Sequence, residues 1–162
     1  MNIEAAQKII DGKPTEAAHL YIDDTGEPRD KHIENLFRDL FEGRPLDAIF
    51  RNNFGVYLSE LYGEEIEPPA GIFIDAGYCI AWINRFFGPV TVKPCGPPSD
   101  DPDFANVRYV ARIRLSGSSK RFKPAYAPSM LHAALLSAVF VLRAEAGKRL
   151  NAFFKDAMRK SC

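Results

Sequence analysis

Arginine and lysine crowd one stretch of this chain. Lys93, Arg108, Arg112, Arg114, Lys120, Arg121 and Lys123 fall within 31 residues, and no acid occurs from Phe104 to Arg143. In the segment NVRYVARIRL, at 106–115, Val107, Tyr109, Ala111, Ile113 and Leu115 alternate with Arg108, Val110, Arg112 and Arg114. A period of two is the signature of a strand with one face packed and the other in water or on a partner. Arg112 and Arg114 then share a face about 7 Å apart. Guanidinium forks bind carboxylates and phosphates. The candidate binding surface is therefore Arg108, Arg112, Arg114, Lys120, Arg121 and Lys123, and its partner an acidic protein surface or nucleic acid. Phe122 and Tyr126 would serve as base-stacking platforms only if they face outward. Two plainer readings stand beside these: a solvated sheet face, or pairing with acids of the chain itself.

Other chemistries find less footing. His19, His32 and His132 are far apart, and no HxxxH, HExxH or paired CxxC occurs, so no metal is expected. Cys79 sits among Tyr78, Ile80 and Trp82, which reads as an inert buried thiol, and Cys95 lies in a proline-rich loop with no nearby histidine. The segment LSGSSK at 115–120 lacks the P-loop spacing and joins two strands, so it reads as a hairpin turn. Acid pairs such as Asp23/Asp24, Glu64/Glu65 and Asp100/Asp101 fall in turns, which points to solvated surface. No catalytic residue and no cofactor is assigned. The enzyme alternative is a hydrolase or transferase whose scattered residues meet in a cleft between the two halves.

The charge is split along the chain. Lysine plus arginine equals aspartate plus glutamate at 21 each, yet residues 1–75 hold 16 acids against 7 bases and residues 76–162 hold 5 against 14. Such segregation steers association and weakens with salt, and it permits self-association between the unlike halves. At 46% hydrophobic and 12% aromatic, 162 residues can bury a core. Three cysteines at long spacings imply no disulfide framework and a reducing, cytoplasmic home. The N-terminus has no basic leader followed by an apolar run.

The elements that must position the basic run can be read in order. Residues 2–11 read as a short helix, 15–22 as helix or strand, and 23–28 as a turn. An amphipathic helix follows at 29–41, with Ile33, Leu36, Phe37 and Leu40 on one face and Gly43 as its C-cap. Pro45 opens a further helix through Phe50, and 53–62 form another. Pro68-Pro69-Ala70-Gly71 is the best internal boundary. Asp75 then caps a helix over 76–87, 90–92 form a short strand, and 94–102 a loop. A return strand over 120–126 completes the hairpin. Pro124 confines it to an edge. Residues 127–148 form a helix that is apolar almost all round from Met130 to Leu142, too short a run to cross a bilayer. Past Gly147 the pattern turns amphipathic, with Leu150, Phe153, Phe154, Ala157 and Met158 on one side; one helix or two are both open.

Ala81-Trp82 in one helix, a hairpin, and then Tyr126-Ala127-Pro128 followed by Leu131, His132-Ala133-Ala134-Leu135-Leu136 and Ala138 form a pattern. Over about residues 72–146 it resembles the phage ABA sandwich domain, in which two helices pack around a small antiparallel sheet. The resemblance implies that fold and a phage or prophage origin, hence a host cytoplasm; it implies no catalytic residues. This chain departs from the family in about 70 further N-terminal residues and an amphipathic tail.

The expectation is an α+β fold, with a helical N-terminal region followed by a small antiparallel sheet packed between helices. Residues 1–70 form the helical region, and 71–162 an α-β-β-β-α unit with an amphipathic C-terminal helix. The expected function is that of a non-enzymatic phage- or prophage-type binding protein, with no membrane role, inhibiting a host defence complex through charged surfaces. The alternative is a nucleic-acid-binding protein using the basic hairpin 108–123.

Overall fold

The computed structural model describes residues 30–62, 65–114 and 123–160, with side chains described at 33–59, 65–114, 123–144 and 159. The elements expected within 1–28 and the turn at 116–119 lie outside these residues.

The first helix, α1 (Asp30–Phe41), forms where the apolar period places it. Ile33, Leu36 and Leu40 are buried, while Glu34 and Arg38 are exposed. Gly43 ends it at φ +71°. The Gly43 N–H donates to the Leu40 carbonyl at 3.2 Å and the Arg44 N–H to the Asp39 carbonyl at 2.8 Å. These are the two bonds of a Schellman cap.

The next helix corrects the reading at 45–62. A single α2 (Ala48–Tyr62) replaces two helices. Asp47 caps it, its carboxylate accepting from the Phe50 N–H at 2.9 Å, so the start falls after Pro45. Gly55 does not break α2 because its open side packs against Pro68, which an added Cβ would meet at 3.3 Å. Phe50, Phe54, Tyr57 and Leu58 face inward, whereas Val56 lies on the exposed side. A 3-10 turn (Ala70–Phe73) buries Ile72 and Phe73, so the Pro/Gly stretch leads straight back into the core.

Helix α3 (Ala76–Phe86) starts at Asp75, whose carboxylate accepts from the Gly77 N–H at 3.2 Å. Cys79 and Ile83 are buried on one stripe, with Trp82 and Phe86 half-buried beside them. Three strands follow: β1 (Val90–Pro94), β2 (Tyr109–Ile113) and β3 (Ala125–Ala127), antiparallel in the order β1-β2-β3. Of the return strand expected over 120–126, residues 120–122 lie outside the described residues, Lys123 and Pro124 stay out of the strand, and β3 runs on to Ala127. It forms after Pro124 and lies at the sheet edge, where the missing proline donor is harmless.

The chain closes with α4 (Met130–Lys160), one continuous helix through Gly147. Seven consecutive residues, 133–139, are buried, which covers its full circumference. Ser137, the polar member, donates its hydroxyl to the Ala134 carbonyl at 2.6 Å and so leaves no unmet group. The sheet sits on α4, with α3 at the β1 side and α1 at the β3 side. Small residues are frequent in this packing: Ala111, Ala125 and Ala127 of the sheet and Ala133, Ala134 and Ala138 of α4 are all fully buried. One buried cluster runs from Ile33 in α1 through Phe54 and Ile83 to Leu142.

Candidate binding face

Strand β2 carries two opposite surfaces. Val107, Ala111 and Ile113 point into the core, and Tyr109 is half-buried on the same side. Arg108, Arg112 and Arg114 are exposed on the other, with Val110 half-buried among them. Burial of the apolar set fixes this facing, because a slip of one residue would put three guanidinium groups into the core.

The register adds what β1 contributes. Thr91 pairs with Arg112 and Lys93 with Val110, so these two exposed β1 side chains join the arginine face. Together Thr91, Lys93, Val110, Arg112 and Arg114 line a cleft of about 440 Å³, with Pro89 and Ile113 completing it. Among the described residues no carboxylate pairs with Lys93, Arg112 or Arg114; the ion pairs there join Arg44 to Asp39 and Glu42, and Arg143 to Glu34. Like charges side by side repel, and here nothing in the described chain compensates them.

Of the six residues expected to form the surface, Arg112 and Arg114 lie in the cleft. Arg108 is exposed but turned aside: its guanidinium donates to the Ala105 carbonyl at 3.1 Å and the Val107 carbonyl at 2.8 Å. Lys123 is exposed outside the cleft lining, and Lys120 and Arg121 lie outside the described residues. Thr91 and Lys93 were missed as site residues. Their signal was the alternation of Val90 and Val92 with Thr91 and Lys93, but only strand pairing shows which face of the sheet they join. Tyr126 projects to the outer side but is half-buried, its ring edge-on to Phe104 at 6.2 Å, and Phe104 is in turn edge-on to Phe41 at 5.5 Å.

Other chemistry-bearing groups are engaged structurally. The Ser129 hydroxyl lies 2.6 Å from His132 Nδ1 and accepts from the His132 N–H at 3.1 Å, which is a helix cap. His132 Nε2 lies 2.8 Å from the Arg44 carbonyl. A carbonyl can only accept, so Nε2 carries the proton, and in the neutral ring the serine donates to Nδ1. Burial pushes the Cys79 thiol up to about 12, and also raises Cys95. Asp39 is raised too, chiefly by burial and against the pull of Arg44. Among the described residues no group of His, Cys, Asp or Glu could hold a metal, and no helix is long and apolar enough to cross a membrane. A second hollow of about 690 Å³ lies along α2, where Arg51 donates from Nε to the Leu46 carbonyl at 2.9 Å and covers the Phe73 ring at 5.6 Å.

Comparison with protein-family models, with curated proteins and with solved structures finds no match to this chain.

Proposed function

We propose that this chain is a non-enzymatic binding protein that occupies an acidic surface of another protein through the outer face of its sheet. The single observation behind the reading is the concave face on which Lys93, Arg112 and Arg114 stand together with no carboxylate partner among the described residues. Cations held unpaired on a packed sheet are preorganised for an anionic partner, and their field raises its encounter rate at low salt. The partner we propose is a host macromolecule, a reading supported by the sequence resemblance to phage ABA sandwich domains alone, and the proposed consequence of covering its surface is inhibition of a host defence complex.

Immobilised protein exposed to host lysate tests the reading. A protein partner should be retained at low salt, released as salt rises, and lost with Arg112→Glu/Arg114→Glu. Failure to retain any protein at low salt, or retention untouched by the double reversal, would refute it. Binding of DNA or RNA with a steep salt slope in place of a protein would favour the nucleic-acid alternative.

A further inference from the structure

We infer that the cationic face recognises an extended acidic segment, laid across the face by its side chains and not added to the sheet as a fourth strand. The inference rests on the binding reading above and specifies its partner.

The first observation is the shape of the charge. Lys93 stands opposite Val110, diagonal to Arg112, and Arg114 lies two residues beyond on β2. With about 3.3 Å rise per residue and about 4.8 Å between strands, the three cations form a diagonal stripe spaced at about 7 to 8 Å and about 14 Å long. Carboxylates on every second residue of an extended chain repeat at about 6.6 Å and cover about 13 Å in five residues. The spacings therefore match one carboxylate to one cation.

The second is the lining of the cleft. Its cations come from two neighbouring strands, Lys93 from β1 and Arg112 and Arg114 from β2, with the half-buried Val110 beside them, so a ligand reaches all three by lying obliquely over the outer face.

The third is the state of the sheet edge. Odd-numbered β1 residues bond to β2, as the Arg114 N–H to Pro89 carbonyl bond and the Cys95 N–H to Arg108 carbonyl bond at either end show. Val90, Val92 and Pro94 therefore face the free edge. The Val90 N–H is already taken by the Asn84 carboxamide oxygen at 2.8 Å, and Pro94 has no N–H to give. One donor, on Val92, is left within β1, too little for a ladder. An edge blunted in this way resists strand addition, while the face beside it stays open.

Ring placement favours a protein segment over nucleic acid. Tyr126, the aromatic residue that the strands place on this side, is half-buried against Phe104 and offers no free ring for stacking.

The test is fluorescence anisotropy at low salt with the full chain and a labelled peptide of alternating glutamate and threonine. Its companions are a peptide of the same composition with contiguous glutamates, the alternating peptide N-methylated at its threonines, and an oligothymidine. The alternating peptide should bind about fivefold or more tighter than the block peptide, change less than about twofold on N-methylation, and lose about tenfold or more with Arg112→Glu/Arg114→Glu. Loss on N-methylation would mean strand addition, equal binding of the block peptide would mean charge without register, and tighter oligothymidine would mean nucleic acid; each overturns the inference, as does no peptide binding. If a lysate partner is held through Arg112 and Arg114 while the alternating peptide neither binds nor competes, the extended-segment inference falls and the binding reading stands.

Discussion

Gly43→Ala should destabilise the fold by about 2 kcal/mol, and the structure shows where that cost arises. Gly43 adopts φ +71° as the left-handed residue of the α1 cap. A Cβ there costs about 1–2 kcal/mol in local backbone energy, offset in part by about 0.4–1 kcal/mol because alanine also restricts the unfolded chain. The new methyl would stand 2.9 Å from Pro128 Cγ and 3.4 Å from Pro128 Cβ, against a ring that cannot swing away. Relieving that overlap moves the start of α4 against the α1–α2 turn, where His132 reaches the Arg44 carbonyl, and costs about a further 1 kcal/mol. For a chain of this size the midpoint of thermal unfolding should fall by about 4–8 °C. Urea melts of Gly43→Ala, Pro128→Ala and the double variant separate the parts. Pro128→Ala should recover about 1 kcal/mol in the Gly43→Ala background by removing the clash. If Gly43→Ala costs less than about 0.5 kcal/mol, the account of this junction is wrong; additive variants would show that the clash is not felt.

Two further outcomes follow from the core and its titrating groups. Ala138→Leu places a large side chain at a fully buried position of α4 and should cost about 1–3 kcal/mol or more in denaturant unfolding, whereas an insensitive site would contradict the close packing around α4. Cys79 has its folded pKa raised from an ordinary thiol value to about 12 by burial. Its contribution to stability is therefore whole below about pH 9 and is lost as pH rises toward 12, because the unfolded thiol ionises first. The slope is at most about 1.4 kcal/mol per pH unit. Subtracting the pH–stability curve of Cys79→Ala should isolate this slope, and parallel curves would exclude the buried neutral thiol.

The fold was legible where a residue's local chemistry and its burial agreed. Ile33, Leu36 and Leu40, the Gly43 cap, the Asp75 cap and the alternation along β2 each carry their own structural instruction. The reading failed at α2, where Pro45 seemed the start and the run seemed divided between Phe50 and Asn53, because the burial of Phe50, Phe54, Tyr57 and Leu58 along one continuous helix is set by residues distant in sequence. The return strand was placed correctly at Ala125 and Tyr126, while its end at Ala127 and the exclusion of Lys123 and Pro124 are set by the pairing with β2. At the candidate site, Arg112 and Arg114 followed from periodicity alone. Lys93 and Thr91 depended on β1 lying beside β2 in one register, and the turning aside of Arg108 depended on carbonyls at Ala105 and Val107. The first is a tertiary placement, which neither spacing nor composition encodes; the second is a local loop geometry that the strand alternation does not show.

The central claim is that the outer face of the sheet is the binding surface, and a matched charge reversal measures it most directly. Affinity for the captured acidic partner would be compared among the parent chain, Arg112→Glu/Arg114→Glu, and Arg38→Glu/Arg85→Glu, which makes the same change in net charge on exposed positions of α1 and α3. All three should retain the same circular dichroism and unfolding midpoint. The account predicts a loss of about a hundredfold in Kd for the face variant and less than about threefold for the control. Equal losses in the two variants, or none in either, would contradict it.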